Sequence, residues 1–250
     1  LTTFAWFIAY GVASIPAAAL LGRLGYSQAI IVALVTMVAG CLIVPIATLA
    51  DFYPGVLIAL FVIASGVTLL QVGANPLVAA LGNPKSSHAR LNFSQFFNSL
   101  GTTLGPLIAA PILLTGGVFA ADAIITDPAT RAESLRSIDL AFLAVGLFFA
   151  VVAGFIFTAR KTINAAAPVP TAEDRMSPLV ALKSPWAVFG ALAIFFYVGS
   201  EVTIGDLLTN FLHSPEILNL PLATAGSMVA WYWGGAMVGR LVGGLLMLTK

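Results

Sequence analysis

The chain runs to 250 residues, 60% of them apolar and 8% charged, with a mean hydropathy of +1.02 and a net charge of +1. Soluble domains carry about 25% charged residues, so a water-coated globule is excluded, and the near-neutral balance leaves no electrostatic footprint for nucleic acid. Most of this chain is dissolved in a lipid bilayer. At about 20 residues per crossing, it holds material for roughly six to eight helices.

Seven apolar runs carry the reading, at 2–22, 28–50, 55–81, 92–117, 138–159, 185–212 and 221–248. In lipid a backbone must satisfy its own hydrogen bonds, as helices and closed barrels do. Barrel strands alternate polar and apolar residues, whereas 29–50 is apolar on every side. The expected fold class is therefore all-α, a polytopic membrane protein with seven transmembrane helices. Leu1 in place of Met, and apolar runs that reach both ends, predict a piece of a longer protein.

The first run carries Trp6 and Tyr10 toward one end, where interfacial aromatic belts form, and Arg23 closes it. The second holds Cys41, the one cysteine, which reads as a small packing residue and has no disulfide partner in the chain. In the third run Thr68, Gln71 and Asn75 stand at i, i+3 and i+7, a spacing that shares one helix face, and Pro76 follows at once. In the fourth, Gln95, Asn98 and Thr102 repeat that spacing, with Gly101 and Gly105 alongside.

Counted from Ser86 between the two runs, Asn75 lies 11 residues away and Gln95 nine, while Gln71 lies 15 away and Asn98 12. At about 1.5 Å per residue, each pair matches in depth to within about 5 Å. Four amides at matched depths make a neutral lining that donates and accepts, which suits a polyhydroxylated ligand better than an ion. Amides also tie neighbouring helices together, at about 0.6 kcal/mol per bond. Spacing alone leaves both readings open.

The 118–137 loop carries Asp122, Asp127, Arg131, Glu133 and Arg136. The stretch 160–184 is charged and holds Pro168, Pro170 and Pro178, which predicts a flexible linker. It divides the chain into a helical bundle over 1–159 and two further helices over 185–250. Alternate connections place Arg23, Lys85, Arg90, Arg160, Lys161, Arg175, Lys183 and Lys250 on one side, against Arg131 and Arg136 on the other. Eight against two puts Arg23 and the linker in the cytoplasm.

The sixth run brings Glu201 close to mid-membrane and Asp206 toward the outer end. An intramembrane carboxylate is costly and marks a pathway or a packing contact, so Glu201 is a candidate for cation coupling, with a structural hydrogen bond as the alternative. In the seventh, Gly235 and Gly239 stand four apart beside Gly234, Gly243 and Gly244, a pattern that lets helix backbones approach. Arg240 is expected to snorkel toward the interface or to pair with an acid outside these seven helices. Trp231, Tyr232 and Trp233 read as an interfacial belt. His88 and His213 fall in loops. Metal-ligand spacing, a phosphate loop and a nucleophile–base set are all missing from the sequence, so neither an enzyme, a metal nor a cofactor is expected.

The segments Gln71-Val-Gly-Ala-Asn-Pro76 and Arg90-Leu-Asn-Phe-Ser-Gln-Phe-Phe-Asn-Ser-Leu-Gly-Thr-Thr-Leu-Gly-Pro106 resemble the fucose:proton symporter family of the major facilitator superfamily. Tyr197-Val-Gly-Ser-Glu-Val-Thr-Ile-Gly205 and Tyr232-Trp-Gly-Gly-Ala-Met-Val-Gly-Arg240 resemble its glucose/galactose transporter branch. More weakly, Ala18–Gly25 resembles the superfamily's loop after its second helix, with Gly22 where that pattern has an acid. The resemblance implies a partial major facilitator fold, with these helices the second through eighth of twelve and 160–184 the loop between two six-helix halves.

It also implies roles. In the fucose-transporting relatives a Glu, a Gln and an Asn that contact sugar or serve coupling match Gln71, Gln95 and Asn98 here. Gln71 departs from the acid, and an amide cannot carry a proton, so it is kept for binding only. With Asn75 as a fourth contact, the implied protein is a multi-pass transporter of the bacterial cytoplasmic membrane, monomeric at full length. Its implied cargo is a neutral hexose such as glucose or galactose, taken up with a proton or sodium ion, Glu201 being the coupling candidate. Transport of fucose or an amino sugar, or sugar sensing without transport, are the alternatives. A seven-helix receptor fits less well: a retinal protein needs a mid-membrane lysine in its last helix, whereas Lys250 is terminal and Lys183 lies in the linker.

Overall fold

A computed structural model describes residues 1–114, 119, 127–167 and 178–248. Asp122, Pro168, Pro170, Arg175 and Lys250, which entered the charge and linker readings, lie outside the described residues. In chain order the elements are α1 (Thr2–Leu24), α2 (Tyr26–Leu49), α3 (Tyr53–Ala80), α4 (Ser87–Leu113), α5 (Pro128–Ala166), α6 (Pro185–His213) and α7 (Leu222–Leu248). Short 3-10 turns at Pro84–Ser86 and Pro178–Lys183 precede α4 and α6. Each apolar run coincides with a helix over its described residues, and no strand occurs among the described residues.

The helix ends follow local chemistry. Gly25, at φ 75°, is the one non-helical residue between α1 and α2, and its N–H donates to Leu21 O at 2.8 Å. Only glycine takes that left-handed conformation without a steric cost. The stretch that resembles the superfamily's loop runs, up to Leu24, as the last part of α1, extending the helix expected over 2–22. Pro54 and Pro185 sit in the first turns of α3 and α6, where a missing N–H costs nothing.

α5 is longer at both ends than its apolar run. Asp127 caps it: Oδ2 accepts from the Thr130 N–H at 3.1 Å and from the Thr130 hydroxyl at 2.9 Å, with Pro128 at the first helical position. Those bonds hold the Asp127 carboxyl below its ordinary 3.8. The cap's contribution is therefore present above that ordinary value and is lost as pH falls through the lowered one. Arg131, Glu133 and Arg136 thus lie on a helix rather than in a loop, and residues 160–166 of the expected linker continue the same helix. Hydropathy does not register a helix whose ends are polar. His88 and His213 likewise belong to helix ends, the His213 Nδ1 donating to Leu220 O at 2.8 Å across the α6–α7 turn.

Six of the seven helices, α1 to α6, are long and apolar enough to cross a membrane. The expected seventh crossing, α7, matches these in length at 27 residues and is less apolar than they are. Arg240, the Trp231–Trp233 aromatics and six glycines lower its hydropathy.

By packing, the helices fall into two units, each described on its own: Leu1–Pro84 with Ile138–Val180, and Lys85–Ser137 with Ala181–Lys250. In the first, α3 packs along α2 and α1. Ile30, Leu34 and Met37 of α2 join Leu77 of α3 and Ala153 of α5 in one buried cluster, and Ala17, Ala29, Ala33 and Leu69 form a second. Glycines allow the α2–α3 approach: a Cβ on Gly40 would lie 2.5 Å from Ile63 Cγ1, and one on Gly66 2.6 Å from Met37 Cγ. Cys41 is 1% exposed, its Cβ 3.0 Å from where a Cβ on Gly146 would stand, so it packs between α2 and α5 as expected. The Thr48 hydroxyl donates to the Asp139 carboxylate at 2.8 Å and fastens the end of α2 to α5.

In the second unit α4 packs along the whole of α7, and α7 also packs against α6. The α4–α7 seam is antiparallel. A Cβ on Gly244 would meet Asn92 and Ala89, one on Gly234 would meet Thr103, and one on Gly226 would meet Ala110. By contrast Gly235 and Gly239, the four-apart pair in the sequence, face open space: a Cβ on either would meet nothing within 4 Å. The packing glycines of α7 are Gly226, Gly234, Gly243 and Gly244.

Candidate functional site

In the first unit, Gln71 of α3 is exposed, and its side chain comes against Tyr10 of α1. Tyr10 also neighbours Trp6 and stacks on Phe7 with ring centroids 5.9 Å apart. Trp6 and Tyr10, expected in an interfacial belt, therefore form an aromatic wall beside an amide. Asn75 is half-buried one turn further along. Thr68, the third member of the stripe, turns inward: it is 2% exposed and donates to Ala64 O at 2.8 Å. Of the stripe on α3, Gln71 and Asn75 are thus the members left at the surface of the unit.

In the second unit, α4 presents Asn98 as exposed and Gln95 as half-buried. Thr102 and Thr103 both donate to the carbonyl of Ser99, at 3.0 and 2.8 Å, which commits their hydroxyls within the helix. Ser99 itself is 0% exposed and faces α7.

The unit also assembles a polar network that the sequence did not disclose. Arg240 of α7 donates from Nη2 to Glu201 Oε1 of α6 at 3.1 Å, and from Nη1 to the hydroxyl of Ser99. The two charged side chains are 20% and 13% exposed. Tyr232, eight residues before Arg240 on α7, donates its hydroxyl to the Glu201 carbonyl at 3.0 Å. Arg240 neither snorkels nor seeks an acid elsewhere; its partner lies 39 residues back, a separation that no local spacing signals. Of the expected aromatic belt, Tyr232 is engaged with α6, and Trp233 packs where a Cβ on Gly205 would stand 2.7 Å away, leaving Trp231 at 80% exposed.

Chemically, the described residues offer two kinds of group. Gln71, Asn75, Gln95 and Asn98 are neutral donors and acceptors. Glu201 with Arg240 is a compensated charge pair, tolerable in an apolar setting because each ion satisfies the other. Among the described residues, no three of His, Cys, Asp and Glu come together as a metal set.

The comparisons with known proteins agree in direction. A glucose/galactose transporter from Brucella abortus is 39% identical over 99% of this chain and 57% of its own length. A putative glucose/galactose transporter from Helicobacter pylori is 33% identical over 99% of this chain and 58% of its own. The crystal structure of the Escherichia coli fucose:proton symporter superposes with a TM-score of 0.69 at 22% identity, over the whole of this chain and 63% of that one. This chain therefore spans less than two thirds of the length of these relatives. The model of the Major Facilitator Superfamily matches residues 1–250 from end to end, and the chain, an all-α multi-pass membrane protein, belongs to that superfamily.

Proposed function

We propose that the protein is a secondary transporter of the bacterial cytoplasmic membrane, monomeric at native length, that takes up a neutral hexose of the glucose or galactose type with a proton. Carrying the reading is the 39% identity with a glucose/galactose transporter over 99% of this chain, joined to two amide pairs on α3 and α4. Substrate is held by Gln71, Asn75, Gln95 and Asn98, whose side chains match the hydroxyls of a sugar as both donors and acceptors. The exposure of Asn98 and Gln71 supports this, as does the aromatic company of Gln71. Transport proceeds by alternating access between a bundle over 1–159 and one beginning at 185, joined by 160–184, with the sugar near mid-membrane. A proton, rather than sodium, is the coupling ion, since relatives 30% and 27% identical are L-fucose-proton symporters.

Glu201 is the coupling carboxylate in this reading. A proton placed on it discharges the pair with Arg240 and leaves at most a neutral-acceptor hydrogen bond in place of the ion pair. Two outcomes test these assignments. Asn98→Ala will lower hexose binding at least tenfold while the protein still inserts and elutes as its parent, measured by labelled-sugar binding to purified protein; undiminished binding returns Asn98 to a packing role. Glu201→Gln keeps an oxygen for Arg240 but cannot titrate. It will bind sugar and exchange it across proteoliposomes, yet fail to accumulate it when an inward proton gradient is imposed. Accumulation at the parental level removes Glu201 from coupling.

A further inference from the structure

We propose that Arg240 is a positioning residue for the sugar-facing amides of α4, acting through Ser99. The inference rests on the transport reading above and adds to it a residue that touches no sugar. Its starting point is the α4–α7 seam, which is built from Gly226, Gly234, Gly243 and Gly244 on one helix and Ala89 and Ala110 on the other, with Asn92 and Thr103 between. Small residues let two backbones approach closely, but they interdigitate little and so offer weak resistance to one helix rolling on the other. The bond from Arg240 to Ser99 is a polar stop in the middle of that seam.

The geometry converts such a stop into control of the amides. At about 100° per residue, Gln95 and Asn98 lie roughly 40° and 100° round α4 from Ser99, in the same sense. With side-chain tips about 6 Å from the helix axis, a roll of about 20° would carry Asn98 some 2 Å, enough to break a hydrogen bond to a ligand. Ser99 is 0% exposed, so it contacts no substrate and its influence on binding runs through the orientation of α4. Arg240 in turn is anchored. Its second nitrogen holds Glu201, and Tyr232 holds the carbonyl of that same residue, so α6 and α7 form the fixed side against which α4 is registered. The planar fork fixes the two partners on separate nitrogens; a lysine ammonium has three donors but all on one nitrogen, and cannot reproduce that spacing.

The test uses the native-length protein in proteoliposomes, with labelled D-glucose and D-galactose as probes and affinity counted per folded molecule. Ser99→Ala is expected to keep parental yield and elution but to bind about fivefold more weakly, the scale of one lost hydrogen bond. In uptake the loss will fall on KM, with the rate at saturation kept. Arg240→Lys, which keeps a charge opposite Glu201, is expected to lose affinity to the same degree. The double variant will be no weaker than the weaker single one, because both changes cut one link. Parental affinity in Ser99→Ala, or losses that add in the double variant, overturn the inference alone. Absence of hexose binding in the parent protein overturns the transport reading and this inference with it.

Discussion

In the proposed transporter at native length, oxidising a protein that carries Asn92→Cys and Gly244→Cys, in a Cys41→Ala background, will stop sugar uptake, and a reductant will restore it. A Cβ on Gly244 would stand 3.4 Å from the Asn92 Cβ, within a few tenths of an ångström of the separation of about 3.5–4.5 Å that a disulfide needs. The two residues lie on α4 and α7, which the sequence division assigns to different bundles, while packing places both helices in one unit joined along its length. Alternating access requires the two bundles to part at one end and then the other. A bond across the seam forbids one of those states, and the expected loss is of turnover, not of a fraction of affinity. Uptake that continues at the parental rate after complete cross-linking, judged by the disappearance of free thiol, would show that α4 and α7 travel together. The boundary between the moving parts would then lie elsewhere.

A second large effect concerns stability. Gly40→Ala and Gly66→Ala will each lower the melting temperature of the detergent-purified protein and cut its folded yield. The added carbon would stand 2.9 Å from the Ile63 backbone nitrogen in the first case and 2.8 Å from the Ala33 carbonyl oxygen in the second. Backbone atoms cannot step aside as a side-chain end can, so α2 and α3 must separate. Overpacking of this kind costs about 1–3 kcal/mol, and the backbone contacts put both changes at the upper end. Gly154→Ala on α5 is the control, since nothing lies within 4 Å of its Cβ position. It should melt as the parent does. Equal losses at all three positions would mean that helix propensity or bilayer contact, rather than the α2–α3 approach, sets the response.

How much of the fold and the site is legible in the sequence follows from what each signal can report. Hydropathy registers burial in lipid, so it locates the seven described α-helices, yet it misses the first ten residues of α5. There Asp127, Pro128 and Thr130 write a helix start in capping chemistry. Periodicity registers which residues share a face of one helix, so Gln71 with Asn75 and Gln95 with Asn98 can be singled out. It carries nothing about what stands opposite, which is why Thr68 joins the stripe on paper but turns inward in the fold. Long-range partners have no local signature at all. Glu201, Arg240 and Ser99 sit on three helices, and their meeting is decided by how α6, α7 and α4 pack. The glycines of α7 show the same limit: Gly235 and Gly239 match a familiar spacing, whereas the contacts are made by Gly226, Gly234, Gly243 and Gly244.

The buried cysteine carries one more consequence. Cys41 is 1% exposed and backed by Gly146, so a thiol reagent cannot reach its sulfur while α2 and α5 remain in contact. Its rate of modification therefore counts openings of that contact, each one a local unfolding event with its own free energy. As the sole cysteine of the chain, it is a chronometer already in place: one reactive atom, silent in the closed core, whose labelling half-life times how often the first unit breathes.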